Sequence, residues 1–285
     1  MKILGDYHTH SDNSDGKATV EEMIRAAKEA GLKEIAITDH AHGRWLLRKI
    51  KPKQYSMVKA LTHECGEKNG IKALFGVEAN IIGTAGQIDF RCEEEYKNVD
   101  IVLCGFHRFV KPANIMSFFT FLVPNWFCSM IRWCPKSLIR SNTEIVKRAI
   151  SKNNIDVYTH PNRYFKVDVV EIAKVCATNG ILIELNSKKI SFRPIDFERM
   201  AATGAKFIIS SDAHNTRRVG SIAKVIEFLK LCDYNESDIV NIGGTFKRKD
   251  LRKSGIKIEK INKEELNDIH PKGKKRNNRK KKRKK

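Results

Sequence analysis

Nine side chains of the kinds that bind transition metals lie at or near the ends of short apolar runs in this sequence. They are six imidazoles and three carboxylates: His8, His10, Asp15, His40, Glu78, His107, His160, Asp212 and His214. Imidazole and carboxylate groups are the ligands that Zn²⁺, Mn²⁺ and Fe take in hydrolytic sites. Nine ligands are too many for one ion, so the sequence predicts two to three divalent metals, which are Zn, Mn or Fe.

The spacing of these residues indicates that they point into one site. His8 and His10 are two residues apart, so on a strand both side chains lie on the same face, and Asp212 and His214 repeat this spacing. Asp6 shares the face of the first pair, and we expect its carboxylate to accept a hydrogen bond from an imidazole N–H. Two further residues, Asp39 and His42, flank His40, and we expect them to support the ligands.

Strand-like apolar runs alternate with helical patterns along most of the chain. The predicted strands are Ile3–Tyr7, Glu34–Thr38, Ala73–Val77, Ile101–Gly105, Asp156–Thr159, Ile181–Leu185 and Lys206–Ser210. The predicted helices are Thr19–Ala30, Lys53–Asn69, Lys136–Lys152, Val167–Asn179, Pro194–Thr203 and Val219–Leu231. Such alternation predicts an α/β fold with parallel strands and right-handed crossovers.

Seven strand–helix units with polar residues at the strand ends favour a TIM-like barrel, whose site lies at the C-terminal ends of the strands. An open, doubly wound sheet is the competing architecture, but it does not readily bring the ends of the first and last strands together. We therefore predict one barrel domain over residues 1–250. The extension 251–271 and the polybasic tail 272–285, which we expect to be disordered, follow it.

The segment Ile115–Trp133 is strongly apolar and aromatic and falls inside a predicted insertion, residues 108–135, on the site side of the barrel. Pro124 and Asn125 interrupt it, which makes it a poor transmembrane helix. We expect a helical hairpin packed on the barrel rim. A lid over the site and an interfacial membrane anchor are the alternatives.

The chain is strongly basic. Its last fifteen residues contain eleven Lys or Arg and no acid, which leaves a formal charge of +10 for residues 1–270 out of a total of +21. The tail predicts affinity for nucleic acid or for an anionic membrane.

The seven cysteines are irregularly spaced without a C-x-x-C motif, and no export signal precedes the first strand. We therefore expect a cytoplasmic protein, with peripheral membrane attachment as an alternative.

Seven motifs in this order resemble the PHP (polymerase and histidinol phosphatase) family, most of all its stand-alone phosphatases. They are the D-x-H-x-H opening, the following Ser14-Asp15-Gly16, T-D-H, G-V-E-A-N-I with Gly86-Gln87-Ile88-Asp89, G-F-H, T-H-P and S-D-A-H, within residues 3 to 230. The resemblance implies a distorted (βα)7 barrel with a trinuclear metal site. Some relatives carry histidine where this chain has Asp15, so the metals stay open among Zn, Mn and Fe.

The resemblance also implies how the ligands are divided. His8, His10, Glu78 and Asp212 would hold the first metal. The carboxylate of Glu78 would bridge to a second metal, which His107 and His160 complete. Asp15, His40 and His214 would hold the third.

Two metals joined by a carboxylate activate water in phosphoesterases, so a metal-bridging hydroxide is the expected nucleophile, with Glu78 and Asp212 as catalytic residues. Arg163, Arg108 and Asn186 are candidates for binding substrate. We expect a phosphatase for a small phosphomonoester. A nuclease or nucleotide phosphodiesterase assisted by the tail, and a non-catalytic scaffold at membrane or RNA, are the alternatives. The sequence indicates no protein partner.

Overall fold

Seven parallel strands form one sheet whose strand order follows the chain from β1 to β7. The computed structural model describes residues 1–43, 49–90 and 93–248, so the predicted segments 251–271 and 272–285 lie outside the described residues. The strands are β1 (Gly5–Thr9), β2 (Glu34–His40), β3 (Lys72–Asn80), β4 (Ile101–Gly105), β5 (Val157–Tyr158), β6 (Leu182–Asn186) and β7 (Phe207–Ser210). Each strand pairs in parallel with the next.

Contacts between the first and last strands nearly close the sheet into a barrel. Thr9 forms a parallel bridge with Ala213, and the His10 amide donates to the Ala213 carbonyl at 2.8 Å. Near the other end of this seam, the side-chain amide of Asn241 donates to the carbonyls of Gly5 and Ile209, both at 2.8 Å. The predicted distorted (βα)7 TIM-like barrel is confirmed.

The role predicted for Asp6 is wrong. Its carboxylate accepts hydrogen bonds from the Ser211 amide at 3.0 Å, the Ser211 hydroxyl and the Gly220 amide at 2.9 Å. These donors occupy the carboxylate in the β1–β7 seam, so it does not support a ligand imidazole. Asp6 instead holds the segment that carries Asp212 and His214 against β1.

Helices cover the outside of the barrel. In chain order they are α1 (Val20–Glu29), α2 (Tyr55–Asn69), α3 (Glu93–Lys97), α4 (Ile115–Ser117), α5 (Val123–Ile131), α6 (Lys136–Lys152), α7 (Val169–Asn179), α8 (Pro194–Ala201), α9 (Ala223–Leu229) and α10 (Val240–Gly243). Thr19 caps α1 through a capping box with Glu22, as its sequence predicts. Within the described part of the chain, no helix is long and apolar enough to cross a membrane.

The apolar segment between β4 and α6 is one continuous helix, so the predicted helical hairpin is wrong. Helix α4, a π-helical turn (Phe118–Leu122) and α5 follow one another without a break, and we call this unit the rim helix. Proline lacks an amide hydrogen and its ring collides with the carbonyl four residues earlier. The wider π turn directly precedes Pro124 and gives its ring room, so the helix continues to Ile131.

Candidate metal centre

The barrel brings the nine predicted ligands together at the C-terminal ends of its strands. Each ligand lies near the end of β1, β2, β3, β4, β5 or β7, or in the loop that follows one of them. All of them are buried except Asp15 and His214, which are half-buried. The structure therefore gathers every residue of the predicted set, although their role as ligands stays a prediction.

The carboxylate of Glu78 lies at the middle of this cluster. A nitrogen of each of five imidazoles lies within 3.5 Å of one of its oxygens: His8, His10, His40, His107 and His160. Oε1 faces His160 Nε2 at 2.7 Å, whereas Oε2 faces His40 Nδ1 at 2.9 Å. Because its two oxygens face different imidazoles, the group has the geometry that a bridge between two cations requires.

Asp15, His40 and His214 form the outer edge of the cluster. The two oxygens of Asp15 lie 3.3 Å from His40 Nε2 and 3.5 Å from His214 Nε2. Burial opposes ionisation of this carboxyl, but the two facing imidazoles outweigh burial and hold its pKa well below the usual range. The carboxylate is therefore ionised at neutral pH, as a metal ligand must be.

The cluster fits divalent metals by two independent features. Three groups have ligand atoms within 4.8 Å of one another: His10, Asp15, His40 and His214; His8, His10 and Glu78; and His40, Glu78 and His107. In addition, His10 Nδ1, Asp15 Oδ1 and Glu78 Oε2 are buried and have charged or polar neighbours at 2.9 to 3.8 Å, but none of the three forms a hydrogen bond of acceptable geometry among the described residues. Buried polar atoms rarely lack partners, and a bound cation would supply one to all three atoms.

Glu184 supports the cluster, and sequence reasoning missed it. Its carboxylate lies 2.6 Å from His8 Nδ1 and accepts the backbone N–H of His160 at 2.7 Å. Since a carboxylate accepts hydrogen bonds, Nδ1 of His8 carries a proton, which leaves Nε2 as the nitrogen that would bind a metal. The available signal was an acidic residue within the apolar run of the sixth strand.

An analogous contact orients His107. Its Nδ1 lies 2.7 Å from Asn80 Oδ1, while the amide nitrogen of Asn80 donates to Asp89 at 2.8 Å. Because Asp89 takes the amide donor, the oxygen of Asn80 faces the imidazole, and Nε2 of His107 is again directed at Glu78. Supporting contacts of this kind orient metal ligands.

We expect Glu184→Gln to weaken metal binding and to lower kcat/KM by about 10- to 100-fold, the usual cost of losing a support for a metal-bound imidazole. Metal titration followed by steady-state kinetics would measure both effects. Excess metal should restore part of the activity. Glu227→Gln removes an exposed carboxylate and should change neither quantity. Unchanged metal affinity in Glu184→Gln would contradict the role assigned to Glu184.

Asp39 supports the centre indirectly. Its carboxylate accepts from the amide of Ser11 at 2.8 Å, from the Ser11 hydroxyl at 2.6 Å and from the Ser14 hydroxyl. These bonds fix the loop that presents Asp15. Unlike the carboxylate of Asp39, the buried Nδ1 of His42 has no hydrogen-bond partner in the described part of the chain.

Cationic side chains line one side of the centre. Arg163 donates to Asp212 at 2.7 Å, and the Lys188 ammonium lies 3.5 Å from the same carboxylate. Asn186 also donates to Asp212, at 3.3 Å. Arg108 instead reaches the rim helix, where it donates to Ser129 at 2.6 Å. The structure thus places Arg163 and Asn186 at the centre and adds Lys188, two residues after β6, which sequence reasoning missed.

A family model described as PHP domain matches residues 6–188, which is more than half of the chain. The chain belongs to the PHP family. A "Probable phosphatase" of Shewanella loihica is 28% identical over 252 residues, covering 85% of this chain and 90% of that protein. A second "Probable phosphatase", from Proteus mirabilis, is 28% identical over 253 residues, with coverage of 83% and 89%.

A solved structure shares the PHP fold of this chain. It is the histidinol phosphate phosphatase of Lactococcus lactis in complex with zinc, L-histidinol and phosphate. The two structures superpose with a TM-score of 0.57 at 16% identity, covering 82% of this chain and 95% of the other. At this identity the likeness supports the barrel alone.

Proposed function

We propose that this PHP protein hydrolyses a small phosphomonoester at a centre of two to three divalent metals. Its class, a metal-dependent phosphoesterase, follows from the family. The observation that carries the proposal is the carboxylate of Glu78, whose two oxygens face different imidazoles at the barrel mouth. The names of the two bacterial relatives support a phosphatase.

Different residues of the chain would bind the metals and orient the ligands at such a centre. When bound, a pair of divalent metals supplies an activated water as nucleophile and neutralises charge on the phosphate. Glu78 and Asp212 would hold the metals, and the contacts of Glu184 and Asn80 keep the Nε2 atoms of His8 and His107 directed inwards. Burial raises the pKa of the Asp212 carboxyl, but His8, Lys188 and His10 outweigh burial and keep it ionised at neutral pH.

Arg163 and Lys188 give the site affinity for a phosphate dianion. The Arg163 side chain is mostly buried, its guanidinium pairs with Asp212, and it lies 5.1 Å from the ring centroid of Tyr164. These contacts fix the direction of the guanidinium, and a fixed fork of donors suits two phosphate oxygens. Lys188 is more exposed and adds a second cation beside the same carboxylate.

Metal content and substrate class test the proposal together. Zn, Mn and Fe would be counted per chain of the purified protein. A chromogenic phosphomonoester, a phosphodiester and a single-stranded oligonucleotide would then be assayed in parallel. Two to three metals with monoesterase activity are expected. Cleavage of the diester or the oligonucleotide alone would overturn the monoester proposal, and a protein inactive with every added metal would overturn phosphatase function itself.

We expect Arg163→Gln to lower kcat/KM for a phosphomonoester by about 10- to 100-fold, the loss of one charge-assisted, two-point contact. Steady-state kinetics with metal in excess would measure this change. Arg193→Gln is the matched control, because Arg193 is exposed and its guanidinium pairs with Asp196 in helix α8, which Arg193 directly precedes. Equal kcat/KM for the two variants would exclude Arg163 from phosphate binding.

A further inference from the structure

We infer that the rim helix docks this protein on anionic lipid membranes. The inference concerns a surface outside the metal centre and does not rest on the proposed function. Three observations carry it: an exposed apolar face on the rim helix, the basic chain segment that contains this face, and a fixed attachment to the barrel.

The outer face of the rim helix is apolar and unpartnered among the described residues. Its exposed side chains are Ile115, Met116, Phe119, Val123, Phe127, Met130 and Ile131, and Trp133 follows the helix. Ile115 and Met130 are 72% and 78% exposed, which is unusual for side chains of this size. Clustered exposure of this kind marks a contact surface, whereas scattered single residues do not.

The opposite face of the rim helix anchors it to the barrel. Phe121 is fully buried and packs against Phe106, with 5.2 Å between the ring centroids. Asn125 and Asn142 exchange two side-chain hydrogen bonds, at 2.8 and 3.0 Å, between α5 and α6. The apolar outer face is therefore held outwards by buried contacts and is ready to bind without refolding.

The chain segment that contains this face carries basic side chains and no acidic ones. Between residues 101 and 143 the chain contains five Lys or Arg and no Asp or Glu. All five cations are exposed: Arg108, Lys111, Arg132, Lys136 and Arg140. An apolar helix face with flanking cations is the pattern of helices that lie in the plane of an anionic membrane surface.

The same features disfavour other occupants. A second copy of the chain would bring two sets of five cations together, and like charges across an interface are repulsive. Nucleic acid would satisfy the cations and could stack on Phe119, Phe127 and Trp133. It offers nothing to the exposed aliphatic side chains of Ile115, Met130 and Ile131. A bilayer with anionic lipids accommodates both the cations and the aliphatic groups.

Docking in this orientation would bring the metal centre close to the membrane. Arg108, the neighbour of His107, donates to Ser129 on α5, so the rim helix and the centre share one end of the barrel. Interfacial helices bury their apolar face by about 5–10 Å. The barrel mouth would then lie near the lipid–water boundary.

The first test measures cosedimentation of the full chain with phosphatidylcholine vesicles, with and without about one-third phosphatidylserine. Binding to the anionic vesicles alone is expected. Phe127→Ser with Met130→Ser should weaken it by about tenfold or more, from the apolar area lost. The control pair Met57→Ser with Leu231→Ser, which are equally exposed elsewhere, should bind like the parent chain. Equal binding by both double variants would overturn the inference.

A second pair of variants tests the charges. Lys111→Ser, Lys136→Ser and Arg140→Ser together should weaken binding to anionic vesicles by about tenfold or more, since each cation contributes at the surface. The matched triple variant carries Lys2→Ser, Lys33→Ser and Lys152→Ser. These lysines are exposed and precede strands at the opposite end of the barrel, so their loss should weaken binding far less. Equal losses in both triple variants would mean that net charge, including that of the tail, drives binding, and would overturn the inference.

Tryptophan fluorescence separates docking by the rim helix from binding by the basic tail. Trp133 is 64% exposed beside the helix, and the tail contains no tryptophan. Brominated lipid should quench the parent protein, and Trp133→Phe should lose most of that quenching. Vesicle binding without quenching, or binding to a single-stranded oligonucleotide but not to vesicles, would overturn the inference. Thermal unfolding of each variant at the parent midpoint would show that the substitutions leave the fold intact.

Discussion

Glu78→Gln is expected to lower phosphatase activity by more than about a hundredfold and to remove at least one metal per chain. Loss of a residue that merely supports a ligand costs about 10- to 100-fold, so loss of a shared ligand costs more. The amide keeps the size of the side chain but loses its charge and one acceptor oxygen. Oε1 faces His160 and Oε2 faces His40, so the single carbonyl oxygen of glutamine could bind a metal on only one of these two sides.

The measurement pairs elemental analysis with kinetics at saturating metal. Glu34→Gln is the matched control, because Glu34 is also a buried glutamate on a strand. It lies at the opposite end of the barrel, where it accepts from Tyr7 and Lys72, each at 2.6 Å. This control should keep its metals and its activity. Full metal content and full activity in Glu78→Gln would contradict the bridging role.

The apolar runs located all seven strands, but they ended several of them too early. The predicted bounds of β4 match the structure, because every residue of Ile101–Gly105 is buried. The prediction ended the second strand at Thr38, whereas β2 continues through Asp39 and His40. Polar residues normally mark the end of a buried strand. Here the barrel buries them as part of the candidate metal centre, so the strand continues.

The residues that sequence analysis missed or misassigned depend on contacts between distant parts of the chain. Glu184 reaches His8 across 176 residues, and Asp6 reaches Ser211 across 205. No local pattern encodes such pairs, although the ligand spacing and the family motifs located the centre itself. The rim helix shows the opposite case, in which a local pattern misleads. Pro124 signals a break in the helix, but the neighbouring π turn accommodates the proline and the helix continues.

Removing the metals is expected to destabilise the whole barrel as well as to abolish activity. The nine side chains come from six of the seven strand ends, so each cation bound to them would tie distant segments together. His10 Nδ1, Asp15 Oδ1 and Glu78 Oε2 would lose the partner that we assign to them. A ligand present at about a thousand times its dissociation constant stabilises the folded state by about 4 kcal/mol.

For a chain of this length, about 4 kcal/mol corresponds to a fall of about 10 °C in the unfolding midpoint. Differential scanning fluorimetry before and after treatment with a chelator would measure it, with elemental analysis to confirm that the metal is gone. Added Zn²⁺ or Mn²⁺ should restore the midpoint, which separates metal loss from damage by the chelator. Glu78→Gln should show a smaller fall, because it begins with fewer metals. A metal-free protein that unfolds at the original midpoint would mean that side-chain contacts alone hold the cluster together.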